Sequence, residues 1–182
     1  MNYLENLDEL LKKLELKKDF TKVAEDIYLL KPQTVRERAP TIALTAITHG
    51  DEIIGLALFI KLLEDYLDGK LTILGPIYFI IANRAAYFKQ QRYIEADLNR
   101  LYGNSTEKTL ESRRAEVIKP IIDLCDYSID IHQCIEDTLT PFFILPYSED
   151  NIDWINQVVP EIPFVIRKEL KAATTLSSYA FL

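Results

Sequence analysis

The two histidines of the chain, His49 and His132, each lie at the end of an apolar run typical of a buried strand. TIALTAIT precedes His49, and YSIDIH ends in His132. Glu52 follows His49 by three residues, across a turn in which Gly50 permits backbone conformations that other residues resist. An imidazole and a carboxylate at this spacing can converge on one cation. Two histidines and one carboxylate, with a fourth position left for water, are the ligand set of hydrolytic zinc sites.

The same residues also have ordinary structural interpretations. A histidine at a strand end is more often a hydrogen-bonded core or surface residue than a metal ligand. Glu52 alone can interact favourably with the dipole of a following helix. His-x-x-Glu is a weak pattern by itself, so the metal hypothesis depends on whether the fold brings His132 to the same place.

A polar segment, residues 83–103 (NRAAYFKQQRYIEADLNRLYG), interrupts the apolar pattern just beyond a predicted buried strand. Arg92, Asn99 and Arg100 lie within it. Because a guanidinium group matches a carboxylate with two hydrogen bonds, these three residues predict a compact anion-binding group. The alternative is a solvated loop with structural salt bridges.

The elements that must position these residues alternate between strand and helix. A βαβ unit is predicted by TIALTAIT, EIIGLALFIKLLEDYLDG and LTILGPIYFIIAN, with the helix ending near Gly69 and the second strand interrupted by Gly75-Pro76. TIALTAIT is nearly all apolar, which is typical of a parallel strand covered by helices on both faces. In open sheets of this kind, ligands bind at the carboxyl ends of the strands, where both histidines are expected to lie.

The remaining periodicities extend this pattern in both directions. Helices are predicted for LDELLKKLEL, TEKTLESRRAEVIKPIIDLC (with a kink at Pro120) and SEDNIDWINQVV, and strands for DIYLL, YSIDIH, FFILPY and FVIRK. We therefore predict a three-layer α/β/α sandwich with a mostly parallel or mixed sheet. One domain is expected over residues 1–182, in which residues 1–40 contribute an N-terminal helix and strand.

Composition narrows the classes of function. The chain has 182 residues, of which 48% are hydrophobic, enough for one buried core. Its net charge of -7 disfavours nucleic acid or an anionic membrane as the main partner, because both attract concentrated positive charge. No apolar run reaches roughly 18 residues and the charged start is unlike a signal peptide, so a cytoplasmic protein is expected. Cys125 and Cys134 are expected to stay free thiols there.

Three motifs in order, THGDE, RYIEADLNRLYG and IDIHQ, resemble the succinylglutamate desuccinylase/aspartoacylase family of zinc hydrolases, which have the zinc-carboxypeptidase fold. The resemblance covers most of residues 40–182. It implies that His49, Glu52 and His132 bind one zinc ion per chain. It also implies that Arg92 polarises the scissile carbonyl and stabilises the oxyanion.

The resemblance gives roles to the neighbouring polar residues as well. Asn99 and Arg100 would hold the carboxylate of the amino-acid part of the substrate. Asp97 resembles an orienting residue for these basic groups, with a structural ion-pair partner as the alternative. Asp130 precedes His132 by two residues on the same strand face, where it is either a hydrogen-bond acceptor supporting that ligand or a plain buried acceptor.

Some positions depart from the family pattern. Asp51 replaces a frequent asparagine and adds negative charge, which would strengthen metal binding or raise a neighbouring pKa. Gln133 and Cys134 follow His132 where small polar residues are more usual, and Cys134 is expected to be a buried packing thiol rather than a ligand. Leu176 lies where aspartate-specific members carry arginine, which argues against N-acetylaspartate as a substrate.

The resemblance also places the family's catalytic glutamate, and a further β-rich portion, beyond Leu182. We therefore expect a truncated catalytic domain that binds zinc but turns over slowly, unless an in-chain carboxylate such as Asp51 or Glu169 serves as the base. The implied function is a zinc-dependent deacylase that cleaves the amide bond of a small N-acyl amino acid. The alternatives are a zinc carboxypeptidase acting on peptides and a non-catalytic metal-binding module.

Overall fold

The structure of the chain, a computed structural model, describes residues 2–34, 39–103, 106, 108–134, 137–167 and 175–179. The helices within these residues are α1 (Tyr3–Leu14), α2 (Ile54–Leu67), α3 (Arg84–Lys89), α4 (Leu110–Ile122), α5 (Glu149–Val158) and α6 (Leu176–Tyr179), with a 3-10 turn at Leu98–Arg100. The strands are β1 (Phe20–Ala24), β2 (Ile27–Leu30), β3 (Ile42–Ala46), β4 (Ile77–Ile81), β5 (Tyr127–Asp130), β6 (Phe143–Pro146) and β7 (Phe164–Arg167). None of the helices described is both long and apolar enough to cross a membrane.

The main sheet has five strands in the order β1-β2-β4-β3-β5. β3 lies between β4 and β5 and is parallel to both, so the predicted βαβ unit of β3, α2 and β4 is confirmed. β2 is antiparallel to β4, and β1 is antiparallel to β2. β6 and β7 form a separate parallel pair. The sheet is therefore mixed, with its parallel strands at the end that carries the histidines.

Helices cover both faces of this sheet and create two apolar cores. Alternate residues of β4 divide between them, because successive side chains of a strand point to opposite faces. Phe79 packs in the first core with the leucines of α1 and Phe59 of α2. Ile80 packs in the second core with Leu98 and with Ile118 of α4. A mixed sheet between two helical layers confirms the predicted α/β/α sandwich.

The N-terminal helix α1 is amphipathic, and its leucines recur at helical spacing on one face. The buried residues of this helix are Leu4, Leu7, Leu10, Leu11 and Leu14. The side chain of Asn2 accepts a hydrogen bond from the Glu5 amide (3.4 Å) and so caps the helix. Burial of each leucine stabilises the docked helix by roughly 1.5 to 3 kcal/mol.

An ion-pair network joins α1 to the rest of the sandwich. The guanidinium group of Arg84, the first residue of α3, donates to both carboxylate oxygens of Asp8 at 2.7 and 2.8 Å. It also donates to Asp26 in the β1–β2 turn at 2.8 Å. Two aspartates from different elements therefore fix the start of α3 through one side chain, since the planar guanidinium binds carboxylates in a defined geometry.

The structure differs from the sequence-based elements in several places. β1 was not predicted, because only Phe20 among its residues is fully buried and the edge strand lacks apolar alternation. β4 begins directly after the interruption expected at Gly75-Pro76, and residues 71–74 are not part of the strand. Gly75 packs so closely that a Cβ there would lie 2.3 Å from the Pro40 carbonyl oxygen. α3 lies in the polar segment 83–103, for which no helix was predicted.

Leu7→Ala should lower the free energy of unfolding by about 2 to 5 kcal/mol, because it leaves a cavity where Leu7 has no exposed surface. Leu16→Ala is a matched control, since Leu16 is 88% exposed and its truncation should change stability by less than about 0.5 kcal/mol. Urea unfolding followed by circular dichroism measures both. Equal losses in the two variants would contradict the packing of α1.

Candidate metal centre

The carboxyl ends of β3 and β5 bring the two histidines together. These strands are adjacent and parallel, with Thr45 opposite Asp130. His49 follows the end of β3 by three residues, and His132 follows the end of β5 by two. Their ring centroids are 4.9 Å apart. The convergence expected from the strand ends is therefore present in the fold.

A tight turn after β3 presents His49 and Glu52 on one side. The Glu52 amide donates to the His49 carbonyl (3.2 Å), which closes the turn. Ile47 has a φ of 50°, a region that β-branched residues rarely adopt, so the chain bends sharply as it leaves the strand.

Gly50 does not have a positive φ, contrary to the sequence interpretation. Glycine is required there because a Cβ would lie 2.2 Å from the carbonyl carbon of Ala86.

The Glu52 carboxylate is shared between the two imidazoles. Nδ1 of His49 lies 2.7 Å from Oε1, and Nδ1 of His132 lies 2.9 Å from Oε2. His49 and Glu52 are buried, with 2% and 7% of their surface exposed. Each of the three residues offers a ligand atom, and these atoms all lie within 4.8 Å of one another. Bonds of about 2.1 Å hold two ligands of one zinc ion roughly 3 to 4 Å apart, so small side-chain adjustments suffice to enclose it.

The other nitrogen of each imidazole faces a second carboxylate. Nε2 of His49 lies 3.1 Å from Asp97, and Nε2 of His132 lies 2.7 Å from Asp130. Asp130 also accepts a hydrogen bond from the Thr48 hydroxyl at 2.7 Å. Metal-ligating histidines characteristically use their second nitrogen in this way, which fixes ring orientation and leaves the first nitrogen for the metal.

Charge in the group suits a divalent cation. Glu52, Asp97 and Asp130 supply three negative charges, and the Arg92 guanidinium, which contacts Glu52 and Asp97, supplies one positive charge. With neutral imidazoles these groups carry a net charge of -2, which one divalent ion would balance. The donor set of two imidazoles and a carboxylate is also one that zinc accepts.

Burial and hydrogen bonding shift the pKa values of Glu52 and His132 in opposite directions. Burial opposes ionisation of Glu52, but hydrogen bonds from His132, His49 and the Gln133 amide outweigh it and hold the pKa of this carboxyl below its ordinary value. Burial lowers the pKa of His132, yet its hydrogen bonds to Asp130 and Glu52 outweigh burial and raise that pKa to about 10. The site is therefore built to attract positive charge.

The Arg92 side chain reaches the candidate metal group, which consists of His49, Glu52 and His132. The side chains of Asn99 and Arg100 have other partners among the described contacts. A guanidinium nitrogen of Arg92 lies 3.3 Å from Oε1 of Glu52, and the Arg92 carbonyl accepts the Gly50 amide at 3.1 Å. The Asn99 side-chain oxygen accepts the Leu176 amide at 3.1 Å. Arg100 is exposed and donates to the Asn99 carbonyl at 2.8 Å.

Several positions behave differently from expectation or were missed. Cys134 is exposed, so its interpretation as a buried packing thiol was wrong, and the cluster of candidate ligands does not include it. Asp51 is exposed beside the buried Glu52. Glu169 lies outside the described residues. Sequence analysis gave no role to Gln133, whose amide donates to Glu52 (2.9 Å) while its side chain accepts the Ile54 amide (2.9 Å) at the start of α2.

Known proteins resemble this chain in sequence. A family model described as the succinylglutamate desuccinylase/aspartoacylase catalytic domain matches residues 38–181. Succinylglutamate desuccinylase of Serratia proteamaculans is 27% identical over 117 residues, which are 58% of this chain and 36% of that relative. The protein of the same name from Yersinia enterocolitica is 26% identical over 152 residues, 73% of this chain and 45% of the relative. The chain thus spans less than half the length of these relatives.

Solved structures resemble the fold over nearly the whole chain. A succinylglutamate desuccinylase from Vibrio parahaemolyticus has a TM-score of 0.75 at 19% identity, covering 96% of this chain and 68% of its own. One from Chromobacterium violaceum has a TM-score of 0.73 at 19% identity, covering 96% and 60%. A putative carboxypeptidase A from Shewanella denitrificans has a TM-score of 0.66 at 17% identity, covering 97% and 56%.

Strands β3 to β7, the paired strand ends and the motif residues all lie within the segment that the family model matches, which is well over half of the chain. The resemblance drawn from the three motifs is therefore confirmed. This chain belongs to the succinylglutamate desuccinylase/aspartoacylase family.

Proposed function

We propose that this chain carries the metal centre of a zinc-dependent amidohydrolase that removes the acyl group from a small N-acyl amino acid. The observation that carries the proposal is the paired arrangement of His49 and His132. Both present Nδ1 to the Glu52 carboxylate and Nε2 to separate aspartates. Membership of a family whose named relatives are succinylglutamate desuccinylases supports an acyl amino acid as the substrate class.

His49, Glu52 and His132 would hold one zinc ion. The chemistry that zinc supplies when bound is polarisation of an amide carbonyl and activation of a water molecule. Asp97 and Asp130 would keep the two imidazoles oriented, because each accepts a hydrogen bond at the ring nitrogen opposite Glu52. The Gln133 amide would hold Glu52 in place from the other side.

Arg92 would offset the negative charge that develops on the scissile carbonyl oxygen. Its guanidinium group lies at the edge of the metal group, 3.3 Å from Glu52, and its side chain is 41% exposed, so donors remain available on the solvent side. Preorganised donors of this kind lower the barrier because they are fixed before charge develops.

Asn99 and Arg100 would bind the carboxylate of the amino-acid part. Both lie on the 3-10 turn that follows Asp97 directly. The Leu176 amide engages the Asn99 oxygen, which orients the amide nitrogen of that side chain as a donor. Leu176 itself is fully buried and brings no cation to the site, which favours a substrate other than N-acetylaspartate.

The proposed general base is none of the three carboxylates that contact the two imidazoles. Glu52, Asp97 and Asp130 are each engaged by a histidine, so none of these three carboxylates is free to accept a proton from water. A base must lie within about 3 Å of the proton that it accepts. We therefore assign this role to a further carboxylate, for which Asp51 is a candidate among the described residues and Glu169 lies outside them.

Glu52→Gln should abolish stoichiometric zinc binding, whereas Asp51→Asn should retain about one zinc ion per chain. The two changes are equivalent in chemistry and adjacent in sequence, but Glu52 is buried among the imidazoles and Asp51 is exposed. His49→Ala and His132→Ala should lose the ion as well, because two ligands are too few for a stable site. Metal analysis after dialysis checks this, and full zinc content in folded Glu52 or histidine variants would contradict the site.

Zinc binding to the chelator-treated protein should release protons and tighten as the pH rises from about 6 to 9. His132 has a pKa of about 10 beside Asp130 and Glu52, so below that pH the ion must displace its proton. Calorimetric titration in buffers of different ionisation enthalpy measures the number released, expected to be about one from this residue. An affinity independent of pH over this range would contradict the displacement of a proton from His132 by zinc.

Arg92→Ala in the natural gene product should lower kcat roughly 100-fold or more, while Arg100→Ala should mainly raise KM. Arg92 contacts the metal group and would act on the transition state, whereas Arg100 would hold a carboxylate present in substrate and transition state alike. Steady-state hydrolysis of acetyl, succinyl and longer acyl amino acids with zinc present gives both constants. Small and equal effects of the two changes would indicate that this segment is a solvated loop with structural salt bridges. Absence of turnover despite bound zinc would favour a metal-binding module.

A further inference from the structure

A fully buried carboxylate, Glu111, lies in the first turn of α4 and has no place in the metal group. An ionised side chain in such a position is costly unless hydrogen bonds replace the water that it loses. The helix dipole accounts for a small part of the compensation, since Glu111 is near the helix N-terminus. The rest must come from specific donors.

Those donors are consecutive backbone amides of one loop. Glu111 accepts hydrogen bonds from the amides of Ile94 (2.7 Å), Glu95 (3.2 Å, with a longer contact of 3.4 Å) and Ala96 (3.2 Å). The side-chain amide of Asn83 adds a contact at 3.4 Å. Hydrogen bonds to an ionised acceptor are roughly twice as strong as neutral ones. The Glu111 carboxylate therefore accepts hydrogen bonds from loop amides that, in a helix or strand, would be paired with backbone carbonyls.

The contact between loop and helix is reciprocal. The carboxylate of Glu95 accepts a hydrogen bond from the amide of Leu110, one of the N-terminal helix amides that have no partner within α4. Glu95 thus caps the helix while Glu111 binds the loop. The two glutamates interlock the loop with the start of α4.

The three amides lie between Arg92 and Asp97, the residues that reach the metal group from this loop. We propose that Glu111 is a positioning residue, which holds Arg92 and Asp97 in register with His49 and Glu52. This assignment rests on the proposed function in so far as Arg92 acts in hydrolysis. Its action on Asp97, and through Asp97 on His49, is independent of any substrate.

Hydrogen exchange of backbone amides tests the first step. In the unmodified chain the amides of 94–96 should be protected although the loop contains no helix or strand there. Glu111→Gln keeps the size of the side chain but removes its charge and one acceptor. Exchange at these amides should accelerate roughly 10-fold to 100-fold, as expected for loss of hydrogen bonds to a charged acceptor.

Thr109→Ala is the matched control. Thr109 caps the same helix through the Ser112 amide (3.0 Å), so its removal loosens the start of α4 without withdrawing an acceptor from the loop. Exchange at 94–96 should remain within about 3-fold of the unmodified chain. Free exchange of these amides in the unmodified chain would overturn the proposal without any variant. Unchanged protection in folded Glu111→Gln, or equal acceleration in Thr109→Ala, would overturn it too.

Zinc affinity tests the second step through a double-mutant cycle. Asp97→Ala should weaken binding roughly 10-fold to 100-fold, as loss of a carboxylate that supports a metal ligand usually does. Glu111→Gln should also weaken binding, but it should add less than about 2-fold when Asp97 is already alanine, because its route to His49 is then gone. Additive losses in the double variant would show that Glu111 acts by general destabilisation, and would overturn the proposal. Neither measurement requires turnover, so failure to hydrolyse any acyl amino acid would refute the proposed function alone.

Discussion

The geometry of the site depends on one buried carboxylate that is shared by two imidazoles. Glu52 holds Nδ1 of His49 and Nδ1 of His132 on its two oxygens, and the Gln133 amide shares one of them. Both rings are consequently turned so that Nε2 faces Asp97 on one side and Asp130 on the other. Burial of His49 and Glu52 makes their pairing rigid, because an exchange of partners would leave a charged group without hydrogen bonds away from water. His132 lies on the solvent-exposed side of the group.

Three separate parts of the chain must meet for this sharing to occur. The turn after β3 supplies His49 and Glu52, the end of β5 supplies His132, and the loop before the 3-10 turn supplies Asp97. Parallel pairing of β3 with β5 fixes the first two relative to each other. The loop that carries Asp97 has no strand to align it. Instead, its backbone amides donate hydrogen bonds to Glu111 of α4, in the way that paired strands share hydrogen bonds elsewhere in the sheet.

The fold class and the convergence of the histidines could be predicted from the sequence, because both follow from long apolar periodicities and from the rule that parallel strands end at a common edge. The role of Glu111 could not, since its partners are backbone amides 15 to 17 residues earlier and leave no side-chain pattern. Gly50 was singled out for the wrong reason: a close approach to Ala86 is a tertiary fact that dihedral preference does not report. The helix signal missed at α3 was Asn83, whose side chain caps it through the Ala86 amide.

The ion pairs of Arg84 extend the mechanical support of the site to the N-terminal helix. Asp8 of α1 holds Arg84 at the start of α3, and the backbone of the same short helix packs directly against Gly50 in the turn that carries His49 and Glu52. The family match begins only at residue 38, after α1 and its leucines. The segment that matches the family therefore begins later in the chain than the segment that physically supports the site. A boundary chosen at residue 38 would remove Asp8 and Asp26, the two carboxylates that hold Arg84 and with it the short helix behind the turn of His49 and Glu52.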